Sequence, residues 1–322
     1  MITLQHVYWA AGAVFALYAL LSVRDASNPR RYGTALFWAL LAASFLVGER
    51  IGDLANGILV VVLALLAGLG ALGRGVPAST TVEARSQLAR RRGNWIFLPA
   101  LIVPAVTFAL AWKLKDLKID GRALLGSAQT TVISLALGIG VALLIAMVWL
   151  RARPSTPIQE GRRLIDSVGW ATILPQALAA LGGVFAAAGV GKAVGRLIAP
   201  VIPIDSAFLV VAAYTCGMAL FTVVMGNAFA AFPIMTAAIG FPLIVAHLHG
   251  DPVIMAAIGM LSGFCGTLMT PMAANFNVVP AMLLELPDRN AIFNGVIRAQ
   301  APTGALLLVF NTVLMYALVF SR

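Results

Sequence analysis

The sequence predicts an all-α, polytopic integral membrane protein with about 8–10 transmembrane segments. It further predicts a re-entrant hairpin and a broken helix in the C-terminal half. Hydrophobic residues make up 61% of the 322 residues and charged residues only 11%, whereas about a quarter of the residues in soluble domains are charged. The mean hydropathy is +0.96. The apolar residues form separate runs of about 20 residues, the length that a helix needs to cross a bilayer.

The first 150 residues predict a scaffold of five transmembrane helices. The segment at 4–23 has no basic residues before it and no small-residue cleavage site after it, so we expect a retained span rather than a signal peptide. Prolines within these spans are confined to Pro99 and Pro104. The five predicted spans cover residues 4–23, 32–48, 54–72, 95–112 and 130–150.

The formal charge of +10 comes mainly from short connectors between the apolar runs. In the first half, connectors on one face hold 12 Lys and Arg residues and those on the other face hold 5. Cytoplasmic loops carry the excess of positive charge, so the first face is predicted to be cytoplasmic and the N-terminus outside. Because this placement explains the charge, we expect a lipid bilayer partner and no nucleic acid.

Residues 151–322 predict a transport repeat. Ten of the sixteen prolines follow residue 169, and several interrupt apolar sequence. A proline inside a helix removes a backbone donor and kinks or breaks the helix, and transporters use broken helices to hold substrates and ions. The predicted parts are an amphipathic arm at 190–199, a hairpin at 206–246, a broken helix at 253–286 and a final helix at 302–320.

The predicted hairpin is an apolar run of 41 residues without Asp, Glu, Lys or Arg. Gly226 and Asn227 lie in its middle, where a tight turn is expected. Polar groups at membrane depth are tolerated only where protein or a water-filled cavity satisfies them, so this turn is predicted to face a ligand. An ordinary loop between two full spans is the alternative, since 41 residues suit either arrangement.

The predicted broken helix begins at Asp251-Pro252 and is interrupted at Thr270-Pro271, with two asparagines following. An unwound stretch frees carbonyl groups for a cation, and the next half-helix presents its positive end to an anion. The alternative is that Ser, Thr and small residues only allow close helix packing. With the hairpin tip, the predicted substrate-binding residues are Gly226, Asn227, Ser262, Thr267, Thr270, Asn275 and Asn277.

No acidic residue lies in the middle of a span, so a carboxylate proton relay is not evident. Na+ held by carbonyl, hydroxyl and amide oxygens is the easier coupling model, and H+ remains open. We expect no cofactor, resident metal or enzymatic activity, because HExxH, GxSxG and P-loop motifs are missing. Only one hairpin and one broken helix are recognisable, whereas inverted-repeat carriers use two such sets. The second set is expected from another polypeptide or a second copy of this chain.

Several segments, most of them in the second half, carry a family resemblance. The chain resembles bacterial inner-membrane proteins described as the larger subunit of a two-subunit 5-oxoproline (pyroglutamate) transporter. More distantly, it resembles the ion transporter superfamily of dicarboxylate carriers, whose hairpin tips carry a Ser-Asn-Thr-like motif. Here the tip is Gly226-Asn227-Ala228 and lacks those hydroxyl groups. The segments that carry the resemblance are 27–38, 217–222, 225–233, 259–263, 265–280, 283–286 and 299–303.

The resemblance implies a subunit of an ion-coupled secondary transporter, a symporter in the bacterial inner membrane, for 5-oxoproline or a similar small carboxylate. It also implies a second, shorter membrane subunit, while a homodimer stays open. Asn227 and Asn275 are the expected principal substrate contacts. The alternative function is a non-transporting structural or assembly subunit of a membrane complex.

Overall fold

The computed structural model describes residues 2–76, 80–113, 118–119, 122–123, 129–198, 200, 202–283 and 289–321. These residues are predominantly helical, with one short antiparallel pair between β1 (Lys118–Ile119) and β2 (Arg122–Ala123). Seven described helices are long and apolar enough to cross a membrane, and three more apolar helices are shorter. This confirms the predicted all-α, multi-pass membrane class.

The chain forms two compact units, Met1–Asp166 and Ser167–Arg322. The division follows Asp166, whereas the sequence suggested a boundary after residue 150. The division falls within a helix that is amphipathic rather than a plain apolar span. The helices of this part of the chain are α1 (Leu4–Arg24), α2 (Arg31–Val47), α3 (Gly52–Gly68), α4 (Val82–Arg92), α5 (Leu98–Lys113), α6 (Thr130–Leu150) and α7 (Thr156–Val168).

The five predicted scaffold spans each overlap one helix of the first unit, namely α1, α2, α3, α5 and α6. Helix α5 is preceded by a 3-10 turn over Gly93–Phe97. Helices α1 and α2 form a hairpin whose aromatic side chains pack closely. The Phe15 ring stacks on both Trp38 and Phe45, with centroids 5.7 Å apart in each pair, and Trp38 is fully buried.

Helix α7 is fixed to the first unit by a buried charged cluster that the sequence did not predict. Arg162 Nη2 lies 2.6 Å from Asp25 Oδ2, and Arg162 Nε lies 3.4 Å from Asp166 Oδ2. Trp38 Nε1 donates to Asp166 Oδ1 at 3.1 Å. Burial raises the pKa of the Asp25 carboxyl, but hydrogen bonds from Ser27 and Arg162 outweigh that effect, so the pKa lies below its ordinary value.

The second unit begins with a 3-10 turn over Gly169–Ile173. Its helix α11 continues directly as a π-helix over Thr236–His247, and a π-helical turn over Ala274–Val278 leads into α13. Proline lies inside α11 and inside its π-helical continuation. The helices are α8 (Leu174–Ala187), α9 (Val190–Ile198), α10 (Ala207–Met225), α11 (Ala228–Met235), α12 (Pro252–Leu268), α13 (Val279–Leu283) and α14 (Arg289–Val319).

The predicted arm at 190–199 corresponds to α9, but the last helix differs from its prediction. Helix α14 begins at Arg289, thirteen residues before the predicted start at 302, and Pro302 lies inside it. The prediction was based on the apolar run, which covers only the part of a helix that contacts lipid. The helix itself extends further towards the N-terminus, into polar sequence. Residues 284–286, the predicted end of the broken helix, lie outside the described residues.

The core of the second unit lies where α10, the π-helix, α12 and α14 meet. Tyr214 and Met218 on α10 are fully buried there, with Met315 from α14. Helices α10 and α12 cross so closely that a Cβ on Gly266 would overlap the carbonyl oxygen of Ala219. Small residues allow such close approach of helix backbones in membranes, which is the packing alternative raised from the sequence.

Candidate functional site

The predicted tight turn lies between α10 and α11. Helix α10 ends at Gly226, whose φ of +75° is left-handed, and the Gly226 N–H donates to the carbonyl oxygen of Thr222 at 2.7 Å. Glycine suits this position because it has no Cβ. Asn227 then caps α11, because its Oδ1 accepts a hydrogen bond from the Phe229 N–H at 2.8 Å. The predicted turn therefore lies at Gly226-Asn227.

The two arms of the hairpin contain 19 and 20 residues, Ala207–Met225 and Ala228–His247. At 1.5 Å per residue the first arm, which is α-helical throughout, is about 28 Å long, close to the thickness of a bilayer core. Each arm is long and apolar enough to cross a membrane. The choice between a re-entrant hairpin and two full spans stays a prediction, because the arm lengths alone do not set the tilt.

The predicted helix break is also present. Asp251 caps the start of α12, where its Oδ1 accepts from the N–H groups of Val253 at 2.8 Å and Ile254 at 3.2 Å. The helix ends at Leu268, and the chain regains helical structure at Ala274. The interruption therefore spans the predicted Thr270-Pro271 position.

Two of the predicted polar residues hold the break in place. Thr270 Oγ1 donates to the carbonyl oxygen of Val223 on α10 at 2.8 Å. The Asn277 amide donates to the carbonyl oxygens of Thr267 and Thr270, at 2.9 and 2.6 Å. Asn277 is fully buried, and its Oδ1 has no hydrogen-bond partner among the described residues. The Asn277 amide therefore satisfies two carbonyl groups at the interruption, and the Thr270 hydroxyl satisfies one in the last turn of α10.

The hairpin tip and the helix break meet. A Cβ on Gly226 would lie 2.8 Å from the Cβ of Met272 and 2.9 Å from its carbonyl oxygen. A small cavity of about 30 Å³ lies at this junction. It is lined by Leu178, Gly226, Asn227, Phe229, Phe264, Thr267, Ala273, Ala274, Asn275 and Phe276.

Four of the seven predicted substrate-binding residues therefore share one cavity: Gly226, Asn227, Thr267 and Asn275. The other three do not line it. Ser262 is fully buried and donates to the carbonyl oxygen of Ile258 at 2.8 Å. Thr270 and Asn277 stabilise the break instead. The structure thus separates residues beside the cavity from residues that shape the chain around it.

Aromatic rings line the same cavity as the two asparagines. Phe264 contacts Phe229 edge-on and Phe276 at a tilt, with ring centroids 5.9 Å apart in both pairs. Phe229 is 52% exposed and Phe276 36% exposed. The sequence could have placed two of these rings at the site. Phe229 follows the tip by two residues, and Phe276 lies between the two asparagines.

The cavity is neutral, because none of its lining residues is charged. An anion here would therefore depend on amide and backbone N–H donors, including those at the start of α11, which carry partial positive charge. A cavity of about 30 Å³ has room for about one water molecule, whereas pockets for small ligands measure about 300–1,000 Å³. Over the described residues, no three His, Cys, Asp or Glu side chains cluster as a metal site would need.

Comparison with known proteins places nearly the whole chain in one group. A family model described as "Protein of unknown function (DUF979)" matches residues 5–320. No curated protein matches the chain. No solved structure matches it either.

Proposed function

The chain belongs to the DUF979 family, and we propose that it is a membrane subunit of an ion-coupled secondary carrier for small carboxylates, 5-oxoproline first among them. The carrier would lie in the bacterial inner membrane, with the N-terminus of this subunit outside. Na+ is the first choice of coupling ion and H+ the second. The proposal rests on the hairpin tip and the helix break, which meet at a junction that holds Asn227 and Asn275.

Asn275 is the better candidate for a direct substrate contact. Its side chain is exposed, and its amide forms no hydrogen bond within the described part of the chain. It can donate to a carboxylate and accept from a lactam N–H, the two polar groups of 5-oxoproline. Asn227 uses its Oδ1 to cap α11, so its amide N–H groups are the part that is free to bond a carboxylate.

The small cavity indicates that substrate binding needs an additional opening or an additional surface. Asn275 and Phe276 are exposed beside the cavity, so a further polypeptide can pack there and complete the site. A second, shorter subunit is the preferred partner, and a second copy of this chain is the alternative. In either case one tip and one break would supply half of a two-part carrier site.

A non-transporting assembly subunit is the second candidate. The observation that favours it is the contact among Phe229, Phe264 and Phe276 around a space of about one water. In that case the aromatic face would pack against a partner, and Asn275 would bond to that partner rather than to a solute.

The test is uptake of radiolabelled 5-oxoproline by cells that lack their own activity and express this chain with and without its genomic neighbour, at high and low sodium. Asn275→Ala removes the amide at little cost in stability, because the side chain is exposed. Asn275→Asp keeps the shape and adds a negative charge that repels a carboxylate. Asn94→Ala is the matched control, since Asn94 is also exposed.

We expect uptake that requires this chain, a severalfold loss with Asn275→Ala and near-complete loss with Asn275→Asp. The control should transport like the wild type, and all variants should reach the membrane in equal amounts. Uptake that needs the chain but is unchanged in both Asn275 variants would favour the assembly subunit. No uptake of any small carboxylate with the neighbour present would refute the carrier.

A further inference from the structure

The first unit contains a long apolar groove between α1 and α2 that the proposed function does not use. Its volume is about 660 Å³, within the range of binding pockets for small molecules. Its lining extends along α2 from Tyr32 to Val47, which is about 22 Å at 1.5 Å per residue. The groove is hollow because much of its lining is alanine: Ala16, Ala19, Ala35, Ala39, Ala42 and Ala43.

One end of the groove is basic. Tyr32 lines that end and is 66% exposed. The Arg31 guanidinium is held against it, because Nη2 donates to the Tyr32 hydroxyl at 3.0 Å and Cζ lies 4.8 Å from the ring centroid. Arg24 follows the groove residue Val23 and is exposed, with no ion pair to any residue that the structure describes. The neighbouring carboxylate of Asp25 is already neutralised by Arg162.

We propose that this groove binds an anionic phospholipid, with one acyl chain between α1 and α2 and the phosphate at Arg24, Arg31 and Tyr32. The groove is longer than one leaflet of a bilayer core, which is about 15 Å thick, so it can hold most of a chain that enters from the basic end. That end lies on the face predicted to be cytoplasmic. Basic pockets between helices on that side suit anionic headgroups.

A second copy of this chain is a poorer occupant. Small residues can bring two helices together in a membrane. A two-fold symmetric dimer would place the same surface of both copies face to face. The exposed Arg24 and half-buried Arg31 of each copy would then lie at the same depth and repel each other, whereas a phosphate neutralises them.

Native mass spectrometry of the full chain in detergent tests the proposal. Dioleoylphosphatidylglycerol and dioleoylphosphatidylcholine, which have the same chains and different headgroup charge, are added separately. Ala39→Leu with Ala43→Leu fills the groove from positions that are exposed or half-buried. Ala64→Leu on the exposed side of α3 is its control. Arg24→Gln with Arg31→Gln removes the basic end, and Arg90→Gln on exposed α4 is its control.

We expect the wild type to retain phosphatidylglycerol in preference to phosphatidylcholine. The filled groove should lose both lipids without a lower melting temperature. The arginine pair should lower the preference for phosphatidylglycerol about 25-fold, which is about fivefold for each arginine. Both controls should behave as the wild type does.

Two results would overturn the proposal. One is lipid retention that is the same in the filled groove, the arginine pair and the wild type. The other is a wild-type dimer that carries no lipid and dissociates when the groove is filled, since that result would assign the groove to a second copy.

Discussion

Replacing Gly226 with alanine tests whether the hairpin tip and the helix break depend on each other. The φ of Gly226 is +75°, and a left-handed conformation costs a residue with a Cβ about 1–2 kcal/mol. The new methyl group would also lie 2.8 Å from the Met272 Cβ and 2.9 Å from the Met272 carbonyl oxygen. Backbone cannot move aside as a flexible side chain does, so this overlap costs a further ~1–3 kcal/mol.

The two costs together predict a loss of about 2–5 kcal/mol in the free energy of unfolding. For a unit of about 150 residues each kcal/mol lowers the melting temperature by about 2–4 °C. We therefore expect Gly226→Ala to melt roughly 4–20 °C below the wild type in detergent. Uptake should also fall, because the displaced tip carries Asn227 away from the cavity.

The matched control is Gly183→Ala in α8 of the same unit. Gly183 lies within a helix, and its added Cβ would meet nothing within 4 Å. Alanine is about 1 kcal/mol more favourable than glycine inside a helix, so this variant should melt at or above the wild-type temperature. If Gly226→Ala melts as high as Gly183→Ala and keeps full uptake, the tip and break do not touch as described.

Two further predictions concern the buried cluster of the first unit. Arg162→Met should lower the free energy of unfolding by about 3–5 kcal/mol, because it leaves buried carboxylates without their cation. Thermal melting measures this loss, and the control Arg90→Met, at an exposed arginine, should have little effect. The pKa of Asp25 is lowered in the folded chain, so its stabilisation is complete above the ordinary value of about 4 and is lost as the pH falls through the folded value. Melting temperatures between pH 3 and 7 should therefore fall at the acidic end through this group, and a drop that is equally steep in Asp25→Asn would contradict its assignment.

The large features of the second unit were predictable because they depend on local chemistry. A Gly-Asn pair in the middle of a long apolar run marks a turn, and Asp251-Pro252 marks a helix start. The direction in which the chain runs along each successive helix also follows from the order of the helices. The two arms of the hairpin return the chain to one side, and α12 then brings Thr270 to the side where Gly226 lies.

The roles of Asn275 and Asn277 were not predictable from their type or spacing. Both follow Pro271 and both are amides, yet Asn277 is fully buried and Asn275 is exposed. They lie in a π-helical turn, where the side-chain directions differ from those of an α-helix. Spacing rules for regular helices therefore cannot tell which amide faces the protein.

The charged cluster was missed for a different reason. Asp25 and Arg162 are 137 positions apart, and each lies in a connector or amphipathic segment that resembles ordinary polar sequence. Hydropathy predicts where a span ends and carries no information about which connectors meet. The spacing of Arg162 and Asp166, four residues apart on one helix face, was the usable signal.

The polar residues at the break have different roles, and this difference supports a binding site at Asn275. The Asn277 amide already satisfies two carbonyl groups at the interruption, and the Thr270 hydroxyl ties the break to α10, so the fold does not need the Asn275 amide. An unpaired amide in hydrocarbon costs several kcal/mol, and the aromatic rings beside Asn275 offer it no partner of equal strength. Asn275 must therefore face water, a solute or another subunit.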